Sequence, residues 1–315
     1  MSKKQIVSWA GTLLMIASLI FLARRLYQFR DDIDMAFFVS PAVVIGLIVV
    51  ALFEGLGILL ASFNFRALVK NVSGVLVNRP FAMVVYTISN LYKYIPGGVM
   101  YVVGRNRLAV ETEELNHPQV ALSTIIEGII TVIAAILIVV ITVWDHTVEY
   151  LRQVEFSTLF IVIVASVLLL AVTVIFCLRR LIVKGLRKLS EHMQVLKLSV
   201  LIKRFGFGLL IMTLWGGTFL ATLMVLGQPM YPGLGATIIG LFLLSWLAGF
   251  LTPGAPSGLG VREVVILMFM GGRIYEGILL SAMLMHRIVA AVGDIAAYGV
   301  AVGYRKCVDI STKAL

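Results

Sequence analysis

The sequence has 315 residues, of which 60% are hydrophobic and 13% charged, and its mean hydropathy of +1.03 lies far above the range of soluble domains. This composition excludes a soluble globular enzyme. Because one helical crossing takes about 20 apolar residues, the hydrophobic content predicts roughly six to eight spans in one polytopic membrane domain. The net charge of +10 predicts contact with anionic lipid headgroups rather than nucleic acid, since Lys and Arg collect in cytoplasmic loops.

Apolar runs follow one another along the whole chain. The first, residues 5–23, has basic residues on both sides and lacks a small-residue cleavage site, so we expect a retained span and not a signal peptide. The later runs cover about residues 39–63, 81–103, 118–143, 157–178, 206–227, 234–251 and 277–304.

Two of these runs are interrupted. The run from residue 81 contains Lys93 and is broken by Pro96-Gly97-Gly98, and the run from residue 234 stops at a segment that starts with Pro253 and ends with Gly258. Both patterns predict a helix, a break and a second helix. Free backbone groups at membrane depth are tolerated where protein or a watery cavity satisfies them, so the breaks should line a cavity. Two Pro-kinked full spans are the alternative.

The basic residues predict the orientation in the membrane. Residues 179–204 carry eight basic residues against Glu191 alone, which is typical of a cytoplasmic loop. Counting spans from this loop places both termini inside, and the run 81–103 then begins and ends inside. By the same parity the run from residue 234 re-enters from outside. An arrangement in which both broken runs span and the N-terminus lies outside leaves fewer basic residues in the cytoplasm.

The predicted fold is therefore all-α, with about six full transmembrane helices and two re-entrant broken hairpins. Residues from 1 to about 150 and from 156 to 315 repeat one order of elements with opposite orientation, which is an inverted repeat. The linker at about 179–204 is predicted as an amphipathic cytoplasmic helix, because its apolar residues recur at spacings of four and three. These residues are Ile182, Leu186, Leu189, Met193, Leu196 and Val200.

Charged residues within apolar runs are the candidate site. Lys93, Arg105, Arg262 and Arg287 would form a polar path for an anionic headgroup, assisted by helix N-termini after Gly97-Gly98 and after Gly258 and Gly260. The alternative is internal salt bridging that holds the hairpins in place, for example of Arg262 or Arg287 with Glu263, Glu127 or Asp294. Proton coupling is conceivable for the acids Glu54, Glu127 and Asp294, but structural pairing is the simpler interpretation.

Motifs of soluble enzymes are absent from the sequence. There is no phosphate-binding glycine loop, no HExxH and no CxxC, and the four histidines are scattered singly. No catalytic residue, metal site or cofactor is predicted. We therefore expect a protein that is not an enzyme.

The segments YKYIPGGVMYVVGR (92–105) and GFLTPGAPSGLGVRE (249–263), together with Arg287 near the start of the last helix, resemble the lysylphosphatidylglycerol synthase transmembrane-domain family of flippase-like membrane proteins. The resemblance covers most of the chain. It implies a multi-pass protein of the bacterial inner membrane that moves phospholipids or polyprenyl-linked sugars between leaflets, often in polysaccharide assembly. Bifunctional members carry a cytoplasmic aminoacyltransferase domain, which has no counterpart in this sequence.

Residues and resemblance together predict a translocase for an anionic phospholipid or a polyprenyl-phosphate-linked sugar, in cell-envelope or polysaccharide assembly. The alternatives are a membrane-embedded lipid-modifying transferase and an accessory or scaffold subunit beside glycan-assembly enzymes. The predicted binding residues lie at the two breaks and on the last helix. They are Lys93, Pro96, Gly97, Gly98, Arg105, Pro253, Gly258, Gly260, Arg262, Glu263 and Arg287.

Overall fold

The computed structural model describes residues 40–94, 100–110, 115–153, 198–252, 258 and 260–313, with side chains except at 144–153 and 309–313. These residues form helices and connecting turns, without a β-strand in the described ranges. In chain order the helices are α1 (Pro41–Ser73), α2 (Arg79–Leu91), α3 (Met100–Val110), α4 (His117–Gln153), α5 (Leu198–Val225), α6 (Leu234–Leu251), α7 (Val261–Met270) and α8 (Glu276–Lys313). A 3-10 turn, Tyr92–Tyr94, follows α2.

Five of these helices, α1, α4, α5, α6 and α8, are long and apolar enough to cross a membrane. At 1.5 Å per residue α1 measures about 50 Å, well beyond the hydrocarbon core of a bilayer. The predicted all-α, multi-pass class is confirmed for this part of the chain. The predicted spans at 5–23 and 157–178 lie outside the described residues.

Local sequence signals explain where α1 and α2 meet. Helix α1 starts with Pro41 after the extended residue Ser40, and it ends at Gly74, whose positive φ of 77° lets its N–H bond to the carbonyl of Lys70 at 2.9 Å. The side chain of Arg66 then donates from Nε to the carbonyl of Val77 at 2.6 Å. This bond fixes the short connection before α2 to the last turns of α1.

Two helix boundaries differ from the prediction. Helix α1 continues to Ser73, ten residues beyond the predicted end of the run at residue 63. The structure describes α5 from Leu198, inside the predicted linker helix 179–204, so Val200 and Arg204 belong to α5. No proline interrupts the chain there, and Nη1 of Arg204 contacts Oδ1 of Asn64 at 3.4 Å, which gives the charge a polar partner. The rest of the linker lies outside the described ranges.

Helices α1 and α8 cross at glycine. A Cβ on Gly55 would lie 2.7 Å from the carbonyl oxygen of Gly293, and a Cβ on Gly293 would lie 2.6 Å from that of Ala51. Backbones approach this closely only where side chains are absent, which is how small residues pack membrane helices. The crossing places the neighbouring side chains of Glu54 and Asp294 in the same region of the bundle.

The helices pack as two sets of four with matching partners. In the first set α1 contacts α2 and α8, and in the second set its counterpart α5 contacts α6 and α4. Likewise α2 contacts α3 and α8, and its counterpart α6 contacts α7 and α4. Helices α1 and α5 also contact each other and run antiparallel, because Gly46 lies against Val225 at one end while Asn64 meets Arg204 towards the other. Exchange of the first four helices with the last four therefore reproduces the packing scheme.

The two broken runs are not identical. Helix α2, before the first break, has 13 residues, whereas α6, before the second, has 18 and meets the length and composition of a membrane span by itself. The described part of α3, after the first break, has 11 residues, and α7, after the second, has 10 and is too short to cross. Re-entry of both runs stays a prediction.

Substitution of Gly293 by Ala should destabilise the protein, because the new methyl group would press on the backbone of α1. We expect a loss of about 1–3 kcal/mol, the usual cost of overpacking, and a lower melting temperature in detergent. Gly299→Ala is the matched control on the same helix, since nothing lies within 4 Å of a Cβ at that position. Equal melting temperatures for the two variants would contradict the close crossing.

Candidate functional site

Asp294 is the centre of a buried polar cluster. It lies on α8, about 27 Å along the axis from the first residue of that helix, and it is 1% exposed. Three donors surround its carboxylate: Lys93 Nζ at 2.7 Å, the Tyr94 hydroxyl at 2.5 Å and Asn90 Nδ2 at 2.8 Å. Helix α2 and the 3-10 turn supply all three, so Asp294 fixes the start of the first break to the interior of the bundle.

A second tie joins α7 to α8. Arg287 Nε and Nη2 lie 2.6 and 2.5 Å from Oε1 of Glu263, and Oε2 of Glu263 accepts the backbone N–H of Gly260 at 2.8 Å. The carboxylate thus lies at the N-terminus of α7, where a helix favours negative charge. The anion site predicted at this helix start is therefore filled, at the Gly260 amide, by the protein's own Glu263.

Arg262 differs from Lys93 and Arg287 because, among the described residues, no carboxylate is bonded to it. Its Nε is buried and donates no hydrogen bond to any described group. The side chain packs over the contact between Gly249 and Gly258, where a Cβ on Gly249 would lie 2.9 Å from the Gly258 Cα. Gly258 has a φ of 70°, which favours glycine. The end of α6 and Gly258 therefore lie in close contact beneath the Arg262 side chain.

Glu54 and His286 complete the cluster. Glu54, on α1, is 8% exposed, lies 2.7 Å from the Thr218 hydroxyl and interacts electrostatically with Lys93, Asp294 and Arg262. His286, on α8, contacts Phe219 and Phe242 edge-on at ring distances of 5.4 and 5.0 Å. The structure thus brings together Lys93, Gly258, Gly260, Arg262, Glu263 and Arg287 from the predicted set.

Arg105 belongs to a different cluster. Its Nη1 lies 2.5 Å from Oε2 of Glu127, its Nε donates to Ser89 at 3.1 Å, and its guanidinium carbon lies 3.9 Å from the centre of the Tyr86 ring. Arg105 is 3% exposed. In this conformation it ties α3 to α4 and takes no part in the cluster around Asp294. The salt-bridging alternative named Arg262 and Arg287 as the cations; the structure pairs Arg287 with Glu263, whereas the partner of Glu127 is Arg105. Pro96, Gly97, Gly98 and Pro253 lie outside the described residues.

The ion pairs Arg105–Glu127 and Glu263–Arg287 have opposite polarity. In the first half of the chain the cation Arg105 is on the short helix and the carboxylate Glu127 on the long one; in the second half Glu263 is on the short helix and Arg287 on the long one. Each half thus anchors the helix after its break to the next long helix by one buried ion pair. The matching packing of the two halves is accompanied by matching ties.

Sequence reasoning identified Asp294 and Glu54 as charges within the membrane but did not include them in the site. The sequence nevertheless contains a spacing pattern that points to this site. Asn90 and Tyr94 are four residues apart, and Arg287 and Asp294 are seven apart, so each pair lies on one face of a helical segment. Polar residues on one face of an otherwise apolar helix usually point to the bundle interior.

An apolar groove of about 320 Å³ lies beside the Arg105 cluster. Helix α4 forms most of it, with α3 on one side and Phe250 from the end of α6 on the other. Ile125 and Ile129 in its wall are half exposed, which is usual for side chains that face lipid. The groove therefore opens towards the hydrocarbon region between the helix after the first break and the helix before the second.

No protein-family model matches this sequence, and no curated protein matches it either. The resemblance to the flippase-like family therefore stays a prediction based on the two motifs. The chemistry of the site has to be argued from its own residues.

Removal of one member of the Arg105–Glu127 pair should be more damaging than removal of both. Arg105→Met leaves a buried carboxylate without its cation, and we expect a loss of about 3–5 kcal/mol. The double variant Arg105→Met, Glu127→Gln leaves no such charge and should recover part of that loss in detergent melting experiments. A double variant that loses the sum of the two single effects would show that the two groups do not interact.

Proposed function

We propose that this chain moves a lipid with an anionic headgroup between the leaflets of a bilayer. Arg262 carries the proposal, because it is the cation of the central cluster without a carboxylate bonded to it among the described residues. A buried charge without a partner is costly, and a bound anion removes this cost. The planar guanidinium offers two parallel hydrogen bonds to phosphate oxygens.

The surroundings of Arg262 favour a phosphate headgroup over a free carboxylate or halide. Lys93 and Arg287 lie in the same cluster, and both interact electrostatically with His286, as Arg262 does. Three cations around one point suit a ligand with more than one negatively charged oxygen. Their carboxylate partners, Asp294 and Glu263, keep the cluster near neutrality while the ligand is absent.

The apolar groove supports a lipid rather than a soluble anion. Acyl or polyprenyl chains remain in hydrocarbon during transfer, so a lipid carrier needs a polar interior beside an apolar wall that opens to the bilayer. The groove beneath Tyr101 and Phe250 provides such a wall next to the first-half ion pair. A phospholipid and a polyprenyl-phosphate-linked sugar share these two requirements.

The packing scheme supports alternating access. In an inverted repeat equivalent helices run in opposite directions, as the antiparallel α1 and α5 do, and the site lies between the breaks of the two halves. Lys93 precedes the first break and Arg262 follows the second. Movement of one half against the other would then expose the cluster to each leaflet in turn, in an inner membrane with both termini in the cytoplasm.

Arg262→Gln should strongly slow transport while the fold remains intact. We expect leaflet exchange in proteoliposomes to fall by about tenfold or more, because a charge-assisted bond to phosphate contributes roughly 1.5–3 kcal/mol. The assay follows headgroup-labelled phosphatidylglycerol and a labelled polyprenyl-phosphate sugar with an impermeant quencher. Arg273→Gln is the control, since it removes an equal charge from an exposed loop position and should leave exchange unchanged.

Three results would count against the proposal. Exchange at the wild-type rate in the Arg262→Gln variant would remove Arg262 from the path. A covalently altered lipid in the same liposomes would favour the membrane-embedded transferase. Absence of both exchange and product in the wild-type protein would favour the accessory or scaffold subunit.

The opposed halves have a separate test. In a variant with Cys177 and Cys307 replaced by Ser, single cysteines at the exposed positions Asn116 and Arg273 should react with an impermeant maleimide from opposite faces of the membrane. The prediction follows from the parity of spans in the inverted repeat. Labelling of both positions from one face would exclude it.

A further inference from the structure

The hydroxyl of Thr218 faces two acceptors. It lies 2.7 Å from the carbonyl oxygen of Trp215, on the preceding turn of α5, and 2.7 Å from Oε2 of Glu54. A threonine hydroxyl has one proton, and a carbonyl oxygen has none to give. One hydroxyl proton cannot make two full hydrogen bonds, so a carboxylate at Glu54 would share this proton with the Trp215 carbonyl. A protonated Glu54 would instead donate to Thr218 and leave the hydroxyl proton for Trp215, and the two distances accommodate this arrangement.

Asp294 has a different set of hydrogen-bond partners. The ammonium of Lys93, the amide of Asn90 and the hydroxyl of Tyr94 all donate to it, so its oxygens only accept. Three donors and a cation stabilise the carboxylate form. Two buried carboxyl groups near one glycine crossing thus have different surroundings, since Asp294 has three donors and Glu54 has one hydroxyl that also bonds to a carbonyl. Such differences separate the pKa values of two carboxyl groups and allow them separate roles in proton transfer.

We propose that Glu54 is the proton-binding group of the transport cycle, so that one proton and the anionic headgroup bind together and leave together. This proposal rests on the proposed function. Its geometric basis is the shared position of Glu54 and Arg262, which interact electrostatically within the cluster while neither has an ion-pair partner in the described part of the chain.

The coupling follows from charge. While Glu54 is protonated it is neutral, and Arg262 attracts the phosphate of the headgroup. When Glu54 releases its proton to water, its carboxylate competes with that phosphate for Arg262 and repels it. Proton binding and headgroup binding therefore favour each other, and the effect is reciprocal. A cycle in which both leave on the other side is a symport of one proton with one lipid anion.

The elements packed around Glu54 carry other ionisable groups that could contribute to the pH dependence. Lys93, at the end of α2, and Asp294, on α8, form a pair, as do Glu263 on α7 and Arg287 on α8. On α4 the ionisable Glu127 is paired with Arg105, and α5 faces Glu54 with the neutral Thr218. Tyr94, which donates to Asp294, also interacts electrostatically with Glu54, and His286 is a further titratable group of the cluster, so a test has to separate both from Glu54.

The first experiment detects the proton without transport. Infrared spectra of the full chain in detergent at neutral pH should show the C=O stretch of a protonated carboxyl group, and Glu54→Gln should remove it. Thr218→Val should keep the band but move it to higher frequency, because the acid then loses its acceptor. Identical spectra for the wild type and Glu54→Gln would overturn the assignment of the proton.

The second experiment tests the coupling in proteoliposomes with labelled phosphatidylglycerol. In the wild type, headgroup affinity should fall by up to about tenfold per pH unit above the titration of Glu54, as expected for one linked proton, and a pH gradient should drive net transfer. In Glu54→Gln, transfer should continue to equilibrium but no longer respond to the gradient, because the amide stays neutral.

A pH dependence that persists in Glu54→Gln would overturn the proposal and assign the proton to another group, such as His286. Absence of any wild-type transfer would overturn the coupling together with the proposed function, while the infrared band would still report the proton on Glu54. A wild-type transfer that ignores the gradient would leave the translocase in place and exclude proton coupling.

Discussion

The cost of burying charge in an apolar bundle determines how this protein is built. A bilayer gives an ion no solvation, so each charge within the spans needs a partner from another helix. Asp294 holds the donors that precede the first break, Glu263 and Arg287 hold α7, and Arg105 and Glu127 hold α3. The described residues that flank the two breaks are therefore tied to the long helices by ion pairs.

Among the described residues of the cluster, two groups remain outside these pairs. Arg262 is a cation without a carboxylate bonded to it in this part of the chain, and Glu54 is a buried carboxyl group whose neighbour Thr218 also bonds to the carbonyl of Trp215. Both would be costly as isolated charges, and the proposed cycle gives each a different solution: Glu54 keeps a proton, and Arg262 takes a ligand. The same constraint that explains the fold thus explains why an anion and a proton would bind in one place.

The sequence predicted the charges of the site but not their partners. Lys93, Arg262 and Arg287 were identifiable because a charge inside an apolar run is rare and expensive. Asn90 and Asp294 are separated by 204 positions, and no local pattern indicates which distant charge a residue meets. Arg105 was therefore grouped with the other cations, although the structure pairs it with Glu127 beside Tyr86.

Helix boundaries show a similar division. Pro41 and Gly74 mark the start and end of α1 by backbone chemistry. The hydropathy pattern instead placed the end of the apolar run at residue 63, because α1 continues in polar residues such as Asn64, which bonds to another helix. Residues 198–204, which their charge assigned to the basic linker, likewise belong to α5. Hydropathy follows burial in lipid, whereas a helix ends where its backbone bonds end.

The most direct measurement is to identify the group that binds Arg262. An experimental structure of the chain in nanodiscs of phosphatidylglycerol should show a phosphate within hydrogen-bond distance of the Arg262 guanidinium, with the pairs of Asp294 and Glu263 preserved or exchanged around it. A structure in which a carboxylate of the protein itself neutralises Arg262, and no lipid phosphate enters the cluster, would contradict the account.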